Sequence, residues 1–131
     1  KPVANRVAPG KRPRSSMTPV LVFDRDRIFR LAIGSPGGPY IIAFVLKTLV
    51  AVLDWGKEIQ EAIALPNFAN RNRNTELEKG SNLHAIAPAL EALGHRITFH
   101  ELTSGLNGIE QKDGRLIGGA DPRREGIVLG N

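Results

Sequence analysis

Residues 34–39 read GSPGGP, which sets two adjacent glycines, Gly37 and Gly38, between an apolar strand-like run and a long apolar helix-like run. The first turn of a helix leaves its N–H donors unpaired and carries partial positive charge, so a glycine-rich turn feeding a helix points main-chain amides outward. Such a place binds an anion, or stabilises an oxyanion that develops during acyl transfer. Pro39 has no N–H, so the donors would be those of Gly37, Gly38 and Tyr40. The same residues also suit a plain tight turn capping a buried helix, and on their own they leave both readings open.

A second stretch, RPRSSM at 12–17, offers the hydroxyls and amides of Ser15 and Ser16 beside positive charge. That set can hold a carboxylate through charge-assisted hydrogen bonds, or it is a polar loop entering a strand. His84, His95 and His100 are scattered without metal-ligand spacing, and the chain has no cysteine, which removes disulfides and thiolate metal sites. No metal or cofactor is expected. No serine, threonine or lysine stands beside a base in a nucleophile arrangement. Glu58 and Glu61 read as helix-surface charges, and Arg123 and Arg124 as a solvated turn. The residues therefore suggest an anion or oxyanion pocket without a nucleophile.

With 131 residues, 41% of them hydrophobic and 24% charged, the chain can bury a core, and 1–131 reads as one domain. The net charge of +5 is uneven: residues 1–30 carry eight Lys/Arg against Asp24 and Asp26, while the rest carry ten against eleven acidic residues. A basic N-terminal quarter suits anionic partners, and an anion- or nucleic-acid-binding module is the alternative reading. Residues 1–22 lack the aromatics that single-strand binding uses. The chain opens on Lys1, and the expectation is a processed subunit or fragment whose targeting signal lies elsewhere.

The elements that must position these residues follow from pattern. Residues 1–16, with three prolines and a glycine, read as irregular. Residues 17–24 and 28–35 read as strands of a hairpin, with Phe29, Leu31 and Ile33 on one face. Residues 39–54 read as a helix buried on most sides, interrupted mainly by Lys47, Thr48 and Asp54, and too short to span a membrane. Residues 55–66 read as an amphipathic helix with Ile59, Ala62 and Ile63 inward. Short strands at 66–70 and 76–79 precede a helix capped at Ser81 or Asn82, perturbed by Pro88 and ended by Gly94. Strands at 96–102, 106–111 and 115–120 follow, the last two joined by an Asp113–Gly114 turn. Hairpins at both ends with helices between them predict an antiparallel, layered α+β domain.

Taken in order, KRPRSSMTP, AIGSPGG, DWGKEIQEAIALPNF, LEALGH and GGADPRREG resemble the small, C-terminal subunit of γ-glutamyltranspeptidases, from about Lys11 to Gly126. The resemblance implies the C-terminal part of an N-terminal-nucleophile hydrolase fold, a four-layer α-β-β-α sandwich. It implies a precursor that cleaves itself into large and small subunits, freeing an N-terminal threonine. That threonine would attack a γ-glutamyl amide such as glutathione, its α-amine serving as base, and pass the glutamyl group to water or an amino-acid or peptide acceptor. Carried over by motif, Ser15 and Ser16 would hold the substrate α-carboxylate, and Gly37 and Gly38 would form the oxyanion hole. The resemblance also implies a periplasmic or secreted location.

The departures are specific. The family's threonine lies some dozens of residues before the serine pair, whereas fourteen residues precede Ser15 here and none is threonine. The family's upstream groups for the substrate α-amine, and an arginine of its large subunit, are not in this sequence. Arg14 stands where a small or apolar residue is more usual, and Pro39 follows the glycine pair. The implied partners are the large subunit and the N-terminal part of the small subunit, without which this chain is expected not to turn over.

Overall fold

A computed structural model describes residues 3–130; Lys1, Pro2 and Asn131 lie outside the described residues. Residues 3–19 contain no helix or strand. Then β1 (Val20–Phe23) and β2 (Phe29–Gly34) form the expected hairpin. Asp24 closes its turn by accepting from the Asp26 and Ile28 N–H groups, both at 2.9 Å. A short 3-10 turn, Gly38–Tyr40, leads directly into α1 (Ile41–Leu53), and α2 (Ile59–Ala64) follows. Next come β3 (Phe68–Asn70) and β4 (Thr75–Glu78). A 3-10 turn, Asn82–Ile86, runs into α3 (Ala87–Ala92). The chain ends with β5 (Ile97–His100), β6 (Asn107–Lys112) and β7 (Arg115–Ala120).

One sheet has the antiparallel order β1-β2-β6-β7, and the other has the order β3-β4-β5. Asp113 (φ 50°) and Gly114 (φ 76°) both sit in the left-handed region, as the two-residue turn between β6 and β7 requires. Gly94 (φ 91°) ends α3, with its N–H on Glu91 and the His95 N–H on Leu90.

The core lies between the first sheet and helices α1 and α2. Leu31 and Ile33 meet Ile41, Phe44, Val45 and Val52 of α1 and Ile59, Ala62 and Ile63 of α2. Glycines let α2 lie close on the sheet: a Cβ on Gly119 would stand 2.8 Å from Ile63 and 3.2 Å from the Gln60 backbone. Burying Ile59 and Ile63 completely contributes about 1.5–3 kcal/mol each.

Two expectations are corrected. The β4–β5 pair is parallel, not antiparallel, because the intervening turn and α3 make a crossover that returns the chain to the same end of the sheet. The second helix starts at Ile59, not at 55, because Gly56 adopts φ 66° and breaks the helical path. As expected, α1 is buried on most sides; Ile42, Leu46 and Leu53 form an exposed stripe on the side that the sheet, α2 and β3 leave uncovered. The outer face of the first sheet is likewise exposed at Leu21, Ile109 and Leu116. The C-terminal tail crosses part of that face, with Val128 over Gly118.

Candidate active site

The glycine turn is fixed before it reaches α1. Ser35 Oγ accepts the Gly105 N–H at 3.2 Å and donates to the Pro36 carbonyl at 2.6 Å. Gly105 has no room for a side chain, because Pro36 and Arg124 carbons lie 2.7 Å from where its Cβ would be. Gly37 adopts φ 141°, and a Cβ there would meet the Phe44 ring at 2.7 Å. Gly38 has φ 55° and open space around it. The Tyr40 N–H is spent on the Gly37 carbonyl at 3.2 Å, which removes it from the three expected donors. Among the described residues no acceptor takes the Gly37 or Gly38 N–H.

Ser15 and Ser16 line a cleft of about 370 Å³ together with Gly38, Pro39, Arg14 and Asn5. The structure thus brings together three of the four site residues read from sequence; Gly37 is half-buried against Phe44 and does not line this cleft. Ser15 is exposed and its Oγ accepts the Met17 N–H at 3.2 Å, while the Ser16 carbonyl accepts from Thr18 Oγ1 at 2.9 Å. Arg14 is held by its backbone N–H on Asn5 Oδ1 at 2.9 Å. The cleft offers hydroxyls, an amide and a guanidinium, so it can bind and polarise, but its lining contains no carboxylate or histidine to act as a base.

Sequence reasoning missed a polar hub behind the turn. Arg123, expected as part of a solvated turn, clamps Glu78 through Nε at 2.6 Å and Nη2 at 2.8 Å, and reaches Asp121 Oδ1 at 3.1 Å. It also donates to the Leu65 carbonyl at 3.0 Å, at the C-terminal end of α2. Buried Lys47 donates to the Ile63 and Leu65 carbonyls at 3.2 and 2.7 Å. Two cations remote in sequence therefore supply the C-terminal charge that α2 lacks in its own last turn. Buried Asp121 accepts from Ser104 Oγ, the Leu106 N–H and the Arg123 N–H. Asn67 Nδ2 donates to Ser104 Oγ at 2.8 Å. Ser104 precedes Gly105, the residue that anchors Ser35, so the hub and the glycine turn are one connected framework. Only the buried Lys47 within an apolar helix hinted at it locally; the partners lie tens of residues apart.

Electrostatics follow from this packing. Burial pushes the Lys47 ammonium down to about 8, with Arg123 adding to the shift and Asp121 and Glu78 opposing it. Burial pushes the Asp121 carboxyl up, but hydrogen bonds from Ser104, Arg123 and Leu106 outweigh that, and the net direction is down. The histidines serve elsewhere: His84 stacks on Phe99 at 3.8 Å, and His95 Nδ1 lies 2.9 Å from Thr75 Oγ1. A larger cleft of about 730 Å³, lined by Arg71, Arg73, Arg96, His95, His100 and Glu76 among others, opens beside the second sheet.

The family model described as Gamma-glutamyltranspeptidase matches residues 1–131. The chain belongs to the γ-glutamyltranspeptidase family. It is 38% identical to a glutathione hydrolase proenzyme of Escherichia coli over 92% of this chain and 21% of that protein. It is 32% identical to one of Bacillus subtilis over 97% of this chain and 22% of that protein. The chain therefore spans about a fifth of the length of these curated relatives. Among solved structures it superposes on a γ-glutamyltranspeptidase from Pseudomonas nitroreducens with a TM-score of 0.84, at 26% identity, over 98% of this chain and 69% of that one. The Helicobacter pylori γ-glutamyltranspeptidase T380A mutant gives a TM-score of 0.82 at 30% identity, over 95% of this chain and 69% of that one. The fold is that of the N-terminal-nucleophile hydrolases, of mixed α+β type, and the exposed faces of α1 and the first sheet belong to a γ-glutamyltranspeptidase portion. Because the match includes the basic N-terminal segment, it disfavours a separate nucleic-acid-binding arm. Among the described residues no helix is long and apolar enough to cross a membrane.

Proposed function

We propose that this chain is the substrate-binding and oxyanion-stabilising portion of a γ-glutamyltransferase or glutathione hydrolase. The nucleophile is a threonine outside this sequence, freed when a precursor is cut. The remaining large-subunit and small-subunit segments complete the site, and the assembled protein works in the periplasm or outside the cell. The observation that carries the reading is the shared cleft: Ser15, Ser16 and Gly38 line it, and the Gly37 and Gly38 N–H groups find no acceptor among the described residues.

In this reading the serine hydroxyls and Arg14 hold the α-carboxylate of a γ-glutamyl group. The threonine hydroxyl adds to the γ-carbonyl carbon, its proton passing to the free α-amine. The carbonyl oxygen becomes an oxyanion and is met by the glycine amides at the head of α1. Collapse expels the amine, which takes the proton, and leaves an ester on the threonine; water or an amine acceptor then releases it. Donors that meet charge only after attack act on the transition state and not on substrate binding.

The test separates the two roles in the complete enzyme. Ser15→Ala with Ser16→Ala raises KM for a γ-glutamyl donor and leaves kcat near its starting value. Gly38→Ala, which shifts the amide, lowers kcat with KM little changed. An unchanged KM in the double serine variant overturns the carboxylate role, and an unchanged kcat in Gly38→Ala overturns the oxyanion role.

A further inference from the structure

We infer that Tyr40 and Arg71 are positioning residues that set the aim of the glycine amides, an inference that rests on the oxyanion reading above. The Tyr40 N–H holds the Gly37 carbonyl at 3.2 Å and so closes the 3-10 turn that contains Gly38. The Tyr40 ring stacks on Phe44 with centroids 6.1 Å apart, and the Phe44 ring edge in turn lies against Gly37. Two aromatic rings thus support the turn from the helix side.

Arg71, in the connection between β3 and β4, holds this stack from outside. Its guanidinium carbon sits 4.4 Å from the centre of the Tyr40 ring, and Nη2 donates to the Tyr40 hydroxyl at 3.0 Å. The same guanidinium reaches Glu76 on β4 at 3.5 Å. Hydrogen bonding to the Glu76 carboxylate, with burial adding to it, pushes the Tyr40 phenol up, and Arg71 only partly offsets this. The phenol therefore stays protonated at neutral pH and accepts from Arg71.

The need for such a brace is visible at Gly38. Nothing packs within 4 Å of the place its Cβ would occupy, so its peptides are fixed only by the Tyr40 N–H on the Gly37 carbonyl and the Ile41 N–H on the Gly38 carbonyl. Its orientation is inherited from Gly37 on one side and from Pro39 and Tyr40 on the other. A glycine with φ 55° and open space around it can swing unless its flanks are held. The cation over the tyrosine ring, the single Nη2 bond to its hydroxyl and the Glu76 carboxylate that the same Nη2 reaches hold the later flank. A misplaced donor is expensive in catalysis although it costs the fold little, because the oxyanion forms at one place only.

The experiment uses the complete, processed enzyme with Arg71→Ala, Arg71→Lys, Tyr40→Phe and, as control, Gly38→Ala. Active-site titration gives kcat per functional site, and melting temperature reports the fold. Arg71 has a side chain 45% exposed, so Arg71→Ala is expected to leave the melting temperature nearly unchanged. It lowers kcat about 10- to 100-fold with the donor KM within about twofold, the pattern of a displaced transition-state donor. Arg71→Lys, which keeps the cation but not the planar guanidinium over the ring, recovers part of kcat. Tyr40→Phe keeps the ring and loses the hydroxyl, and falls between the two. If Gly38→Ala lowers kcat while Arg71→Ala does not, the brace is refuted and the oxyanion reading stands. If neither changes kcat, both are refuted. If Arg71→Ala loses activity only in step with functional sites or melting temperature, the role is structural and the inference fails.

Discussion

Ser35, Pro36 and Gly37 are each held by a distant residue: the Gly105 amide holds Ser35, Pro36 packs on Gly105, and Phe44 backs Gly37. Across the cleft, Ser15 and Ser16 belong to a run without helix or strand, held by short-range bonds to Met17 and Thr18 and by the bond from Arg14 to Asn5. The glycine turn is built by long-range contacts among elements that this chain contains. The serine stretch lies on its surface, in the segment that leads toward the rest of the precursor in the proposed enzyme. The proposed function thus pairs a preset oxyanion site with a carboxylate site that assembly completes, a division of labour that mutation can test.

The largest effect is expected at the hub. Arg123→Ala leaves Glu78 and the buried Asp121 without their counter-charge and should cost about 3–5 kcal/mol of stability, read from urea or thermal unfolding. A loss below about 1 kcal/mol would mean that the glycine turn is gripped by something other than this network.

Lys47 gives the next effect and has a definite sign. Its folded pKa of about 8 lies below the ordinary lysine value of 10.5, so between those pH values the unfolded chain binds more protons than the folded one. Stability therefore rises as pH climbs from about 8 to 10.5, by up to about 3 kcal/mol from this group. Lys47→Met lacks the titration, and the difference between the two unfolding free energies across that window isolates it. A flat difference would show that Lys47 is not held in the dry pocket beneath α2.

A smaller and sharper contrast lies between the two glycines. Gly37→Ala forces a side chain into φ 141° and into the Phe44 ring, and should cost about 2–3 kcal/mol. Gly38→Ala meets only the left-handed penalty in open space and should cost about 1 kcal/mol. Equal losses would contradict the picture of one gripped and one free glycine.

The hairpin turns, the inward face of α2 and the Gly94 stop were legible because each rests on residues a few positions apart: Asp113 with Gly114, Ile59 with Ala62 and Ile63, Gly94 with Glu91. The parallel β4–β5 pair was not, since alternation fixes which way side chains face and not which way a neighbouring strand runs. Arg123 read as solvent-exposed because its meaning resides in Glu78 and the end of α2, which no spacing rule connects to it. That α1 is buried on most sides was legible from its apolar content, but which stripe stays exposed was not, because that depends on the elements packed against it. Ser15, Ser16 and the glycine pair were singled out by residue type, which fitted plain loops at least as well, and only whole-motif resemblance gave them their proposed roles.

The smallest stability effect is expected at the serines, and it tests the comparison most directly. Ser15 is exposed, and what Ser16 gives Thr18 is its backbone carbonyl, which substitution leaves in place. The double change to alanine should therefore stay within about 0.5 kcal/mol of the parent in unfolding experiments. The same change should raise the donor KM of the assembled enzyme, because a carboxylate would lose two hydroxyl donors there. Stability insensitive to these hydroxyls, with affinity sensitive to them, is what a binding edge on a lightly held segment must show. Should the double variant instead destabilise the chain by as much as Gly37→Ala, the serine stretch would be part of the fold's own framework, and the distinction between a preset turn and an assembled edge would be lost.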